Sequence, residues 1–208
     1  MAEDWADPND VAALYDRHAQ AWDARRHDVG AEACWQTNLC ARVPAGGRVL
    51  DLGCGSGHPV GPRVQAAGHD YTGVDIAPAM IALARQRVPQ GRFVQADMAT
   101  VVLGTQFDIV LSWDGFFHLT PKAQRQGLCT ALRHVAPGGH LFLTVGHMAG
   151  EVTGRVQGDL VYHAALSQTE YRSILTQQGA RRVVFLPQVQ ELGGRTVLWA
   201  IKARAVCG

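Results

Sequence analysis

The chain lacks a dominant charge. Among its 208 residues, 19 lysines and arginines stand against 18 aspartates and glutamates, a formal net charge of +1. No field of one sign is available to steer a polyanion, which argues against a dedicated nucleic-acid binder. The basic pairs Arg25-Arg26 and Arg181-Arg182 read as solvated surface. Long apolar runs are missing too. None reaches the roughly 18 residues a membrane span needs, so no membrane partner is expected. Cysteine is sparse. Cys34, Cys40, Cys54, Cys129 and Cys207 are odd in number and contain no CxxC pair. That disfavours a disulfide framework or a cysteine zinc site, and free thiols fit a reducing compartment. The opening Met1-Ala2-Glu3-Asp4-Trp5 is acidic and has no apolar core of a signal peptide. A soluble, cytoplasmic protein is expected. Internal repeats and low-complexity tracts are also absent.

Hydrophobic residues make up 47% of the chain and charged residues 18%, enough apolar surface for a real core. The length suits one domain. From Val11 to Val43 the apolar residues Val11, Leu14, Tyr15, Ala21 and Trp22 recur at helical steps, with a break near Asp28-Val29-Gly30. Beyond Pro44-Ala45-Gly46-Gly47, short apolar runs alternate with helical stretches. The runs are 48–52, 71–74, 93–96, 107–112 and 140–145. Helices are predicted over about 59–67, 78–87 and from Pro121, with Thr120 as N-cap. Such alternation implies a parallel sheet with helices on both faces. Ser167 and Glu170 form a capping box for a helix ending at Gly179. The runs 182–186 and 196–201 follow. The link between them is too short for a crossover helix, so they should pair antiparallel. The expected fold is α/β: a seven-stranded, mostly parallel, doubly wound sheet with an antiparallel last strand. Residues 1–44 form a helical cap and 45–204 the core.

Three carboxylates and a turn carry the chemistry. Gly53, Gly55 and Gly57 let the backbone turn sharply and approach a ligand, and the next helix aims its free N–H groups at the same place. Position 58 is histidine where a dinucleotide fingerprint has its third glycine, so this is GxGxG rather than GxGxxG. Asp51, two residues before the turn, could meet a cationic amine or bond nearby backbone. Asp75, at the tip of the second strand, could take a ribose or cap the next helix. Asp97 could meet an adenine amino group beside Met98, or be a loop acid.

As a set, residues 49–57, 73–75, 95–98, 107–110 and 132–139 resemble the class I SAM-dependent methyltransferases, over roughly residues 45–202. The resemblance implies S-adenosylmethionine (SAM) as cofactor and S-adenosylhomocysteine as product. It implies that the turn holds the amino-acid end of SAM, Asp75 the ribose and Asp97 the adenine. The N-terminal helices would cover the cofactor, with Tyr15, Trp22 and Arg26 beside it and Arg26 on its carboxylate. Ile76, Met80 and Ser112 join that set. Taken alone, Tyr15 and Trp22 read as core. His58-Pro59 departs from the family's small or aliphatic residues and would bring His58 near the transferred methyl.

Ligands lie beyond the carboxyl ends of the strands in such sheets. After the fourth strand, Asp114 and His118 are four apart and would share one face of a helical turn. The segment lacks an Asn-Pro-Pro-Tyr pattern and a Pro-Cys nucleophile. After the fifth, an insert over about 146–166 is long for a connector and reads as part of the acceptor pocket. It contains His147, Glu151 and Tyr162. The stretch from Gly150 to Tyr171 is similar to one in small bacterial methyltransferases of this class. Gly193-Gly194-Arg195 could reach the same mouth. Asp114, His118, His147, Glu151 and Tyr162 are thus the catalytic candidates, with His118 or His147 as base. No metal is expected, because the histidines show no ligand spacing. The function expected is methyl transfer to O, N or S of a small molecule, by a monomer or homodimer. The alternatives are a cyclisation or lyase reaction that retains SAM, and a SAM-sensing module.

Overall fold

A computed structural model describes residues 5–26 and 30–204. Seven strands form one sheet in the order β3-β2-β1-β4-β5-β9-β8. They are β1 (Arg48–Leu52), β2 (Asp70–Asp75), β3 (Arg92–Gln95), β4 (Phe107–Ser112), β5 (Val135–Val145), β8 (Ala180–Val189) and β9 (Arg195–Lys202). β1 through β5 are mutually parallel, and β9 runs antiparallel to both β5 and β8. The sheet matches the expected fold class.

Strand order reverses between β2 and β4, the two neighbours of β1. Crossover helices leave opposite faces there, so a crevice opens at the carboxyl ends of these strands.

The strands alternate between two cores. Leu50, Leu52, Val110, Leu141, Leu143 and Leu198 face α5 (Pro121–His134) and α6 (Gln168–Gln177), where Leu128, Leu132, Tyr171 and Leu175 meet them. Val49, Ile109, Leu111, Phe142 and Val197 face the other way, toward α2 (Gly30–Cys40) and α3 (Val60–Ala66). Burial on both faces explains the near-continuous apolar runs of the central strands. Leu128 is fully enclosed, and Leu128→Ala would cost about 2–5 kcal/mol. Thr120 caps α5 by accepting the Ala123 N–H at 3.2 Å. β5 begins five residues before the expected start. Val135 already pairs with Phe107, and a register shift then absorbs the Pro137-Gly138-Gly139 segment.

α1 (Val11–Arg25) packs on α4 (Pro78–Arg87) and on β7 (Asp159–Ala165). Asp16 Oδ1 accepts the Ala79 N–H at 2.7 Å, tying α1 to the start of α4. Of the break expected at Asp28-Val29-Gly30, residues 28 and 29 lie outside the described residues; α2 begins at Gly30.

The segment after β5 corrects an expectation. Residues 150–165 fold as a hairpin of β6 (Gly150–Val156) and β7, apart from the main sheet. Gln157 and Gly158 make its two-residue turn, with φ of 53° and 93°. The hairpin buries Val156, Val161, Tyr162 and Ala164 against Ala6, Val11, Leu14, Tyr15 and Trp22. Its apolar side therefore supports the N-terminal helix, and none of its residues lines the cavity described next.

Candidate active site

The glycine turn hangs from β2. The N–H groups of Gly53 and Cys54 both donate to the Val74 carbonyl, at 2.7 and 3.0 Å. Gly53 has φ +72°, and a Cβ there would stand 2.8 Å from the Met98 methyl. Asp75 braces the turn from β2: its Oδ2 accepts the Gly55 N–H at 2.8 Å and its Oδ1 the Ala77 N–H at 2.9 Å. An ionised carboxylate has about four acceptor positions, so each oxygen keeps capacity for a ligand. Burial pushes the Asp75 pKa up, and the backbone N–H groups restrain that rise. Asp97 Oδ1 accepts the Ala99 N–H at 2.8 Å.

A cavity of about 360 Å³ opens at this turn, within the roughly 300–1,000 Å³ usual for small-molecule sites. Ten of the expected cofactor neighbours line it: Tyr15, Trp22, Arg26, Gly53, Gly55, Asp75, Ile76, Met80, Asp97 and Met98. Asp51 and Ser112 do not. Both are buried behind the turn, and Asp51 Oδ2 accepts the Tyr71 hydroxyl at 2.8 Å. Burial raises the Asp51 pKa to about 7 although the Tyr71 bond works against it. The side chain sits in the sheet, outside the cavity lining.

Asp114 departs from expectation. It adopts φ +60°, a region Asp tolerates better than most residues, and so does not share a helical face with His118. Arg195 grips its carboxylate bidentately at 2.8 Å for each bond, and Arg26 adds a third at 2.9 Å. Arg195 also meets Glu32 at 2.7 Å, and Trp113 Nε1 donates to Glu32 Oε2 at 3.2 Å. Burial acts to raise the Asp114 pKa, but Arg195 and then Arg26 outweigh it and hold the carboxyl below its ordinary range. A carboxylate so paired is a poor base. It organises two arginines.

His118 does sit at the cavity, and its tautomer can be assigned. Nδ1 lies 3.0 Å from the Tyr162 carbonyl, which only accepts, so Nδ1 carries the hydrogen. Nε2 is then the lone pair, and the Tyr15 hydroxyl donates to it at 2.8 Å. Burial lowers the His118 pKa to about 4, so the ring is neutral near pH 7. Burial first, and then the fields of Asp114 and Asp75, push the Tyr15 pKa upward.

The other catalytic candidates lie elsewhere. His147 and Glu151 are exposed and outside the cavity, because the chain turns to solvent between β5 and the hairpin. The buried Tyr162 side chain points its hydroxyl at Glu151; its contribution to the site is its carbonyl on His118. His58 lines the cavity beside Cys54 and Ser56. Residues missed include Trp113, Leu119, Thr120 and Ala123, before and at the start of α5, and Pro8, Asn9, Val11 and Ala12, before and within α1. The first group follows β4 and was findable from its position; nothing in the sequence marks the second. Among the described residues, no three His, Cys, Asp or Glu side chains converge as a metal site. No described helix is long and apolar enough to cross a membrane.

A sheet of this order, with a GxGxG turn on β1 and a carboxylate at the tip of β2, defines the class I SAM-dependent methyltransferases. Residues 49–139 match the family model described as "Methyltransferase domain". A trans-aconitate 2-methyltransferase of Delftia acidovorans is 36% identical over 134 residues, 59% of this chain and 47% of that protein. A dTDP-3-amino-3,4,6-trideoxy-alpha-D-glucopyranose N,N-dimethyltransferase of Streptomyces venezuelae is 30% identical over 129 residues, 59% of this chain and 54% of that one. The chain thus spans about half the length of these relatives. The fold is shared with CalS10, an amino pentose methyltransferase from Micromonospora echinaspora solved with SAM bound. The TM-score is 0.70 at 23% identity, covering 90% of this chain and 97% of that one. Magnesium protoporphyrin IX methyltransferase from Synechocystis, with S-adenosylhomocysteine bound, gives 0.70 at 19% identity, covering 95% and 100%.

Proposed function

We propose that this protein transfers a methyl group from SAM to an O, N or S atom of a small molecule. The observation that carries the reading is one cavity lined both by the braced glycine turn and by the Tyr15–His118 pair. The residues fit the cofactor. Gly53 and Gly55 present bare backbone, Asp75 and Asp97 offer carboxylate lone pairs to ribose hydroxyls and an adenine amino group, and Ile76, Met80 and Met98 line the wall. Arg26 is the cation available to a cofactor carboxylate. When bound, SAM supplies a methyl carbon already activated by its sulfonium charge.

The protein's own work is then positioning. The nucleophile must sit about 3–3.5 Å from that carbon and in line, with water excluded. Trp22, Trp113 and Leu119 give the cavity apolar walls. The acceptor's proton becomes acidic as its atom gains a methyl group. The Tyr15 oxygen can accept that hydrogen while its own hydroxyl donates to His118 Nε2. Even a histidine with a pKa near 4 suffices as the sink for so acidic a proton.

The first screen pairs an amino sugar with an aconitate, the kinds of acceptor named for the relatives, so that an uncharged-ring and an anionic candidate are compared directly. The test combines calorimetry with labelled SAM. The wild type should bind S-adenosylhomocysteine, and Asp75→Ala should lose at least about tenfold in affinity, as when a charge-assisted hydrogen bond is removed. An unchanged Kd would remove the ribose assignment.

A further inference from the structure

Charge is distributed unevenly around the cavity. Next to the glycine turn lie Asp75 and Asp97, whose hydrogen-bond partners are the backbone amides of Gly55, Ala77 and Ala99. The lining arginine, Arg26, is held by Asp114 at 2.9 Å. Another part of the lining comes from Pro8, Asn9, Val11 and Ala12 and from His118, Leu119, Thr120 and Ala123, in two segments that both pack on β7. Its side chains include Asn9, Val11, Ala12, Leu119, Thr120 and Ala123, none of them ionisable. His118, which completes it, is kept neutral by burial and gives its lone pair to Tyr15.

We propose that the acceptor is an uncharged, largely apolar small molecule. It presents one hydrogen-bearing heteroatom to the Tyr15 hydroxyl, and acceptors with a carboxylate or phosphate beside that atom are excluded. The proposal rests on the methyl-transfer reading and narrows it.

An anion against these residues meets no side-chain cation among them; of the cationic or titratable bases elsewhere in the lining, Arg26 is paired with Asp114 and His58 stands beside the glycine turn, while Asp75 and Asp97 add like charge. Burying an unpaired charge is costly, and like-charge neighbours add to the cost. An uncharged apolar body instead gains from contact with Val11, Leu119 and Ala123. An ammonium would suit the carboxylates, but it has no lone pair for attack, so an amine acceptor must enter neutral.

The experiment uses the full chain saturated with S-adenosylhomocysteine and matched probes read by saturation-transfer NMR. The neutral probes are para-cresol and para-toluidine. Their anionic partners are para-hydroxybenzoate and para-aminobenzoate. Each neutral probe should bind about tenfold more tightly, or better, than its carboxylate. Ala123→Lys, and independently Asn9→Lys, should narrow or reverse that ratio while S-adenosylhomocysteine binding serves as the folding control. Carboxylates that bind the wild type as well as their neutral partners would overturn the proposal. So would a cofactor-loaded protein that binds none of the neutral probes. A protein that does not bind S-adenosylhomocysteine at all would sink the methyl-transfer reading itself, a separately visible result.

Discussion

Arg195→Ala should be among the most damaging single changes to stability outside the apolar core. The guanidinium makes two bonds to Asp114 and one to Glu32, whose side chains are only 12% and 9% exposed. Among the described residues, truncation leaves one carboxylate with Arg26 and the other with the Trp113 N–H. Removing one partner from a buried ion pair costs about 3–5 kcal/mol, because the remaining charge stays buried. For a protein stable by roughly 5–15 kcal/mol, that is a large fraction. With a urea m-value of about 3 kcal/mol/M, the midpoint should drop by roughly 1–1.7 M. The loss should also depend on pH. The folded Asp114 pKa is depressed, so its contribution is present above the ordinary aspartate value and fades as pH falls through the folded one. The wild-type and variant midpoints should therefore converge in acid. Glu32→Gln in the same background should recover part of the loss. Urea unfolding followed by circular dichroism reads all of this. A loss below about 1 kcal/mol at pH 7 would mean that Arg195 is held by water rather than by the carboxylates, and the argument would fail.

Three further outcomes follow from the site. His118 has a folded pKa of about 4 against an ordinary 6.5, so the unfolded chain binds its proton first. Stability should fall as pH drops from about 6.5 to 4, by up to about 3 kcal/mol from this group, and His118→Gln should flatten that slope in urea titrations. Tyr15→Phe removes the donor to His118 Nε2; once an acceptor is found, kcat should fall about 10- to 100-fold while S-adenosylhomocysteine binding changes little. Gly53→Ala puts a side chain at φ +72° and against the Met98 methyl, so cofactor affinity should drop. Adding Met98→Ala should return only the steric part, since the backbone strain remains, and calorimetry on both variants separates the two.

The parallel half of the sheet was legible because strands buried on both faces carry unbroken apolar runs, and β1 and β4 fall on their expected residues. The turn was legible because glycine takes positive φ at three alternate positions without the steric cost other residues meet there. The hairpin was harder to read. Its turn is Gln157-Gly158, without the Asn or Asp that marks such turns most strongly, and its polar outer face looks like loop sequence. The pairing of Tyr15 with His118 spans 103 positions, and nothing local announces it. His147 was placed near the chemistry by its position after a strand, but strand order alone does not decide which way a loop leaves the sheet. Asp114 was read as a catalytic candidate; it lines the cavity, but its two arginines come from the end of α1 and from β9, and no local pattern announces them.

Asp75 holds the turn in shape through Gly55 and Ala77 before any ligand arrives. The loop's geometry and the cofactor's affinity are therefore two readings of one carboxylate. Across a graded series at this position, Glu, Asn, Ser and Ala, hydrogen-exchange protection of the Gly55 amide and the logarithm of cofactor affinity should fall on a single line. No substitution there can adjust recognition while leaving the architecture alone. Selection for weaker or stronger cofactor binding must then act on the apolar wall, at Ile76, Met80 or Met98, where contact area changes without disturbing the turn's amide bonds.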